Sequence, residues 1–125
     1  KLFLKIREEN HIRLEKVVAE NPALISIERK HIKKFSPFAF VVVCKTPKLK
    51  DKYLNRFIKA NIEVRPTIGG NMQNQPFYKK YAQKIVKLPG VEIIHHNSFY
   101  CGNYPELTRK DLETISNCLC NDNLL

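Results

Sequence analysis

The hydrophobic positions of residues 2–19 recur at helical spacing and predict one long helix at the start of the chain. The apolar side chains are Leu2, Phe3, Ile6, Leu14, Val17 and Val18. Spacing of this kind places them on one face of a helix, and Asn21-Pro22 ends the run because proline interrupts helical hydrogen bonding. A different pattern follows at 38–44, where an unbroken apolar run rich in β-branched residues predicts a strand buried on both faces.

Capping residues predict three further helices. Thr46-Pro47 combines an N-cap with proline at the first helical position, so a helix is expected over 47–60. Pro76 opens the next helix, whose apolar positions continue at helical spacing as far as Leu88. Thr108 and Asp111 form an acidic variant of the capping box at the start of the last helix.

The remaining segments predict short strands and loops. Apolar and polar residues alternate over 62–65, as in a half-buried strand, and the glycine- and amide-rich stretch 67–75 is a loop. After a turn at Pro89-Gly90, residues 91–94 and 97–101 are expected to form two extended pieces around His95-His96. The element order predicts one α+β domain, with a small mixed or antiparallel sheet and helices mainly on one face.

The charge of the chain favours an anionic partner. Lysine and arginine total 22 against 12 acidic residues, which gives a net charge of +10, and such a balance suits nucleic acid or a phosphorylated substrate. The lysines lie in separate small groups, as on solvated helix faces, so nucleic acid is an alternative and not the main expectation. Without a signal peptide or an apolar run near the roughly 20 residues of a membrane helix, we expect a cytoplasmic protein and no membrane partner.

The cysteines predict neither a disulfide framework nor a metal site. Cys44, Cys101, Cys118 and Cys120 contain no C-x-x-C pair, and reduced intracellular thiols are the simplest interpretation. A zinc site would have to recruit His95, His96 and Cys101, whose spacing matches no common zinc module.

The loop that begins at Arg65 has the most distinctive candidate chemistry. Arginine can bind a carboxylate or phosphate through two parallel hydrogen bonds, Gly69-Gly70 exposes backbone N–H groups, and amides such as Asn71 suit sugar hydroxyls. The alternative is that Arg65 pairs with an acid and the amides cap turns. No G-x-S-x-G, P-loop or H-E-x-x-H motif is present, so the residues alone indicate a binding or accessory domain.

Several short motifs, in their order and spacing, resemble one known family. They are Arg7 with Asn10; Ser36-Pro37-Phe38-Ala39-Phe40; Ile62-Glu63-Val64-Arg65-Pro66; Gly70-Asn71; Gln75-Pro76; and Asn97-Ser98-Phe99-Tyr100-Cys101-Gly102-Asn103-Tyr104-Pro105 with Leu107-Thr108. Together they resemble the C-terminal part of the DegT/DnrJ/EryC1/StrS family of pyridoxal-phosphate-dependent nucleotide-sugar aminotransferases and related dehydratases.

The resemblance implies the small C-terminal domain of a fold-type-I aminotransferase. Residues 1–21 would be a helix leading from a missing N-terminal large domain, 22–120 the small-domain core, and 121–125 a frayed tail. In that family pyridoxal phosphate lies in the large domain at a homodimer interface. The Schiff-base lysine would precede residue 1, so we expect no catalytic, cofactor-binding or metal-binding residue here, and no turnover by this chain alone.

The resemblance also implies a substrate, a 4-keto-6-deoxyhexose linked to GDP or CDP, in the biosynthesis of lipopolysaccharide or another glycan. One branch of the family transfers an amino group, with glutamate as the expected donor, and the other removes the C3 hydroxyl. The expected substrate contacts are Arg65, Asn71, Asn97 and Asn103, with Phe99 and Tyr104 as an apolar wall. The face that the large domain covers should be an apolar patch. The alternatives are a stand-alone basic RNA- or DNA-binding module and a non-catalytic dimerisation domain.

Overall fold

A computed structural model describes residues 2–33, 35, 37–82 and 84–121. The helices are α1 (Leu2–Glu20), α2 (Pro47–Lys59), α3 (Pro76–Tyr81), α4 (Pro89–Asn97) and α5 (Arg109–Leu119). The strands are β1 (Ala39–Val43), β2 (Val64–Pro66) and β3 (Ser98–Gly102), and a 3-10 turn covers Met72–Asn74. The predicted α+β class is therefore confirmed.

The three strands form one antiparallel sheet in the order β1-β3-β2. In this register Tyr100 of β3 lies opposite Val41 of β1 on one side and Arg65 of β2 on the other. Because residues directly opposite each other project from the same face, these three side chains form a row across the sheet. The alternate positions, including Phe40 and Phe99, project from the other face into the core.

The hydrophobic core lies between that inner face and three helices. It joins Leu14 and Val18 of α1, Tyr53 and Phe57 of α2, Leu112, Ile115 and Leu119 of α5, and Phe40, Val42, Phe99 and Cys101 of the sheet. Helices therefore pack mainly on one face, as the sequence predicts. Each fully buried aliphatic or aromatic side chain contributes about 1.5–3 kcal/mol to the free energy of unfolding.

A buried asparagine joins the three core helices at one end. The Nδ2 group of Asn21, just after α1, donates to Tyr53 Oη on α2 and to the Leu119 carbonyl on α5, both at 2.6 Å. Its Oδ1 accepts from the Ala23 amide at 2.9 Å. Asn21 therefore does more than end a helix, which is the only role that the sequence pattern predicts for it.

The helix starts predicted from capping residues are confirmed. Thr46 Oγ1 accepts from the Leu49 amide at 3.2 Å and Pro47 is the first residue of α2. At α5, Thr108 Oγ1 accepts from the Asp111 amide while the Asp111 carboxylate accepts from the Thr108 amide.

The segment before β3 departs from the prediction. Residues 91–94 belong to α4 and not to an extended piece, and Pro89-Gly90 begins this helix. A short apolar run does not distinguish a strand from a helix, whereas Pro89 at the first position and a contact between Glu92 and His96 one turn apart both suit a helix. The predicted strand at 97–101 is confirmed as β3, shifted by one residue.

The third helix is shorter than predicted. α3 ends at Tyr81, and the backbone turns extended at Ala82. Past that point the Val86 amide and carbonyl bond to the side chain of Gln73 and not to a helical turn. Of the predicted frayed tail, 122–125 lie outside the described residues, as do Lys1 at the start of the chain and Ser36 of the resemblance motif.

Candidate functional site

An open groove with a volume of about 670 Å³ runs along the sheet edge formed by β2. Two arginines and two tyrosines contribute most of its binding chemistry: Arg7 from α1, Arg65 from β2, Tyr100 from β3 and Tyr104 from the turn after β3. Guanidinium groups bind anions through paired hydrogen bonds, and tyrosine rings offer flat apolar surface with a polar end. The groove therefore suits a ligand that combines anionic oxygens with a ring.

Glu63 fixes the orientation of Arg65. Arg65 Nε and Nη2 donate to Glu63 Oε1 at 3.0 and 2.6 Å. Residues two apart on an extended chain lie on the same face, so the alternation over 62–65 brings the two side chains together. The hydrogen bond to Glu63 raises the pKa of Arg65, and the Arg65 side chain is still 65% exposed. The sequence left pairing and ligand binding as alternatives, and this geometry allows both.

Tyr104 lines the groove at the turn after β3. It is 54% exposed, and its carbonyl accepts a hydrogen bond from Asn10 Nδ2 at 3.2 Å, which ties the turn to α1. A Cβ atom at Gly102 would lie 2.3 Å from the Tyr104 ring. Glycine at this position therefore lets the ring fold back over the strand.

Three of the predicted contact residues lie inside the protein. Phe99 is fully buried in the core. Asn97 Nδ2 donates to a backbone carbonyl at 3.3 Å, and Asn103 Nδ2 donates to the carbonyls of Arg7 and Pro37 at 2.9 and 3.0 Å. The described residues that line the groove do not include Phe99, Asn97 or Asn103. Phe99 packs in the core, and the two asparagines hold backbone segments in place.

Asn71 is buried in the loop after β2 and caps a turn. Its Oδ1 accepts from the Gln73 amide at 3.0 Å, its Nδ2 donates to the Glu92 carboxylate, and its backbone amide donates to His95 Nδ1 at 3.1 Å. These contacts hold the loop against α4. They correspond to the turn-capping role that the sequence left open for the amides of this loop.

Arg7 and Tyr100 contribute to the groove but are absent from the candidates drawn from the sequence. Arg7 Nε is buried without a hydrogen-bond partner in the described part of the chain. Leaving such a donor unpaired is costly, so the atom suits an acceptor supplied by a ligand or by water. The R-x-x-N spacing offered a signal, because Arg7 and Asn10 lie on the same side of a helix and Asn10 reaches the turn that carries Tyr104.

A second groove, of about 350 Å³, lies on the sheet face that points away from the core. Its walls are mainly apolar and include Phe38, Val41, Ile68 and Tyr100. Phe38 is 62% exposed and Ile68 is 74% exposed. Apolar surface of this kind is typical of a region that packs against another polypeptide, and the family resemblance implies an apolar patch on one face of the domain.

Metal chemistry has no support in the described residues, where no group of three or more His, Cys, Asp or Glu side chains is arranged to hold an ion. Cys101, one ligand of the zinc alternative, lies in the core, and burial raises its pKa to about 12. Its thiol therefore stays protonated at neutral pH. Among the described helices, none is both long and apolar enough to cross a membrane.

Residues 1–120 match the sequence model of the DegT/DnrJ/EryC1/StrS aminotransferase family. Among solved structures, the fold is similar to GDP-4-keto-6-deoxy-D-mannose-3-dehydratase of E. coli with bound hydrated PLP (TM-score 0.78, 20% identity, 94% of this chain and 31% of that chain).

It is also similar to the sugar aminotransferase CalS13 of Micromonospora echinospora (TM-score 0.75, 14% identity, 94% and 30%). A third similar structure is a DegT DnrJ EryC1 StrS aminotransferase of Brucella abortus (TM-score 0.77, 14% identity, 94% and 30%). The chain thus spans about a third of the length of the structures it matches. Among curated proteins, none has a matching sequence.

Proposed function

The chain belongs to the DegT/DnrJ/EryC1/StrS aminotransferase family, and we propose that it is the C-terminal small domain of a pyridoxal-phosphate-dependent enzyme that acts on a nucleotide-linked 4-keto-6-deoxysugar. The carrying observation is that nearly the whole chain superposes on about a third of a GDP-4-keto-6-deoxy-D-mannose-3-dehydratase. The reaction is amino transfer to the keto sugar, with glutamate as donor, or removal of the C3 hydroxyl. Structures with a similar fold include a sugar aminotransferase and a GDP-4-keto-6-deoxymannose-3-dehydratase with a trapped PLP-glutamate geminal diamine.

In this proposal the groove along β2 contributes to substrate binding. Arg65, held in orientation by Glu63, donates to anionic or hydroxyl oxygens of the nucleotide sugar. Tyr104 covers the apolar face of a ring, and Arg7 Nε meets a further oxygen. Asn71, Asn97, Asn103 and Phe99 support this surface from within, through the contacts described above.

The described residues of this chain do not fit the Schiff base that anchors pyridoxal phosphate. A Schiff base needs a lysine enclosed with the cofactor, and every described lysine is exposed or only partly buried. The cofactor, whose ring stabilises a carbanion when it is bound, would therefore be held by the rest of the parent enzyme. The apolar groove at Phe38 and Ile68 is the surface on which that larger domain would pack, and the parent is proposed to be a homodimer.

The test compares Arg65→Ala with Arg109→Ala in the full-length enzyme. Arg109 is the matched control because it also pairs with a nearby glutamate, Glu113, at 3.0 Å, but lies on the outer surface of α5, outside the groove. Loss of one charge-assisted contact is expected to raise KM for the nucleotide sugar about tenfold in the Arg65 variant, with the melting temperature unchanged.

Unchanged kinetics together with a lower melting temperature would give Arg65 a structural role. If a full-length enzyme with intact Arg65 neither binds pyridoxal phosphate nor turns over any nucleotide-linked keto sugar, the proposed function fails. The chain alone is expected to show no turnover.

A further inference from the structure

The loop 67–75 is held against α4 by a small set of polar contacts. The Asn71 backbone amide donates to His95 Nδ1 at 3.1 Å, and Asn71 Nδ2 donates to Glu92. We refer to Gly70, Asn71, Glu92 and His95 as the loop latch. A second connection joins the Gln73 side chain to the amide and carbonyl of Val86 at 2.6 and 2.8 Å, but it ties the loop to the segment before α4 and not to α4.

The loop latch leaves no space for a side chain at position 70. Gly70 has a φ of 49°, a left-handed conformation that residues with a Cβ adopt at a cost. A Cβ atom at this position would lie 2.0 Å from His95 Nδ1. The His95 ring is thus packed directly on the loop backbone, so a change in the ring directly affects its contact with the loop.

The contact between Asn71 and His95 requires a neutral imidazole. Nδ1 accepts the Asn71 N–H only when it carries a lone pair, and both ring nitrogens of a charged imidazole carry hydrogens. In the neutral ring the proton is therefore on Nε2. Protonating Nδ1 would place two N–H groups against each other, which replaces an attraction with a repulsion.

Other titratable groups lie close to His95. On α4 they are Glu92 and His96; the His95 and His96 ring centroids are 4.7 Å apart, and His96 Nε2 lies 3.1 Å from Glu92 Oε2. The hydrogen bond from Asn71, with smaller contributions from the two histidines, holds the pKa of Glu92 below its ordinary value. Glu92 therefore remains a carboxylate, and its contact with Asn71 does not depend on mild acid.

The titratable groups of the neighbouring elements lie mainly on α2. The loop 67–75 and strand β1 have none. The other titratable side chains of elements that pack on or beside α4 are Lys84 and Lys87 before it, Tyr100 and Cys101 on β3, and Lys48, Lys50, Asp51, Lys52, Tyr53, Arg56 and Lys59 on α2.

The loop latch bears on the candidate site through β2. Arg65 is the second residue before the loop, and Thr67 and Ile68 at its start line the apolar groove. Thr67 Oγ1 lies 2.5 Å from Ser98 Oγ, which fixes the beginning of the loop on β3. The loop latch fixes the middle of the loop. Loss of the His95 contact leaves the segment after Arg65 attached through Thr67, through the bond from Asn71 to Glu92 and through Gln73, but removes the bond that holds the Asn71 backbone.

We propose that His95 is a positioning residue for the loop 67–75, which it holds against α4 only while its imidazole is neutral, so that the loop beside Arg65 loosens in mildly acidic solution. The proposal concerns the position of the loop and does not depend on which reaction the parent enzyme catalyses.

Hydrogen exchange of the peptide that covers 67–75, measured by mass spectrometry on the full-length protein, tests this proposal. After correction for intrinsic rates, wild-type exchange is expected to be about fivefold faster at about pH 5.5 than at about pH 8, the factor set by one neutral hydrogen bond. His95→Asn places an amide oxygen where Nδ1 lies and does not titrate, so protection should persist at both pH values. His95→Phe lacks the acceptor and should exchange fast at both.

Two further variants identify the group that titrates. His31→Asn, at an exposed position, and His96→Gln should both keep the wild-type dependence on pH. The proposal is overturned if His95→Asn retains the pH dependence, if His96→Gln abolishes it, or if His95→Phe leaves the loop as protected as in the wild type. Because the readout is exchange and not turnover, this failure is separate from a failure of the proposed function.

Discussion

Exchanging Asn103 for aspartate separates a structural role of this side chain from a role in substrate binding. Asn103 is fully buried, and its Nδ2 donates to the carbonyls of Arg7 and Pro37 at 2.9 and 3.0 Å. The aspartate has nearly the same shape but places an oxygen opposite both carbonyls. The exchange therefore removes two hydrogen bonds without leaving a cavity.

The expected cost follows from these contacts. Two lost hydrogen bonds account for about 2 kcal/mol, and a buried carboxylate that faces carbonyl oxygens, or its forced protonation, adds further cost, so we expect a loss of about 3–5 kcal/mol in the free energy of unfolding. That is a large part of the roughly 5–15 kcal/mol of a typical domain. Asn103→Ala, which loses the bonds without adding a charge, should lose less.

Equilibrium unfolding in urea, followed by far-UV circular dichroism because the chain has no tryptophan, measures this loss. The matched control is Asn55→Asp on the exposed side of α2, which should change the free energy of unfolding by less than about 0.5 kcal/mol. Wild-type stability for Asn103→Asp would refute the reasoning. If the same variant then raised KM in the full-length enzyme, Asn103 would be a substrate contact, as the family resemblance implies.

Three further predictions rest on local contacts. At about pH 8 a thiol reagent should modify Cys120, which is only partly buried, while Cys44 and Cys101, whose pKa burial raises to about 12, stay unmodified until the chain is unfolded; equal rates would contradict their burial. Burial lowers the pKa of His11 from 6.5, so as the pH falls the unfolded chain binds a proton at this histidine before the folded chain does. The stability that neutral His11 contributes is therefore present above pH 6.5, and it is lost as the pH falls toward the pKa of His11 in the folded chain. His11→Gln should remove this part of the pH dependence in urea unfolding, and an unchanged profile would assign it to other groups. Thr108→Ala should lose about 1 kcal/mol with its capping box, and an unshifted urea midpoint would show that the cap is dispensable.

Local rules predict much of the fold because much of it is locally determined. The starts of α2 and α5 follow from a cap, a proline or a capping box within one turn of chain. The strand β1 follows from its uninterrupted apolar run. The failure at α4 has the same origin, since the apolar residues of 91–94 suit either structure and tertiary packing decides between them.

The candidate site is harder to predict because its residues meet through distant contacts. The pairing of Arg65 with Glu63 could be expected from the alternation of residues over 62–65. By contrast, Asn103 donates a hydrogen bond to the carbonyl of Arg7, which is 96 positions away in the sequence. No local sequence pattern predicts that contact. The glycines and amides of the loop 67–75 suit a ligand site and a turn equally well, so composition does not distinguish the two. Only the burial of Asn71 in the structure shows that it faces α4.

The central position of β3 has a consequence for how the chain folds during synthesis. Of the three described strands, β3 is the last to leave the ribosome, yet it is the strand with which both β1 and β2 pair. Until it emerges, both earlier strands expose unpaired backbone groups and apolar side chains, a state that favours association with other chains. Because these pairings are distant in sequence, folding is expected to be slow for a domain of this size, and a nascent chain arrested before residue 98 should depend on chaperones.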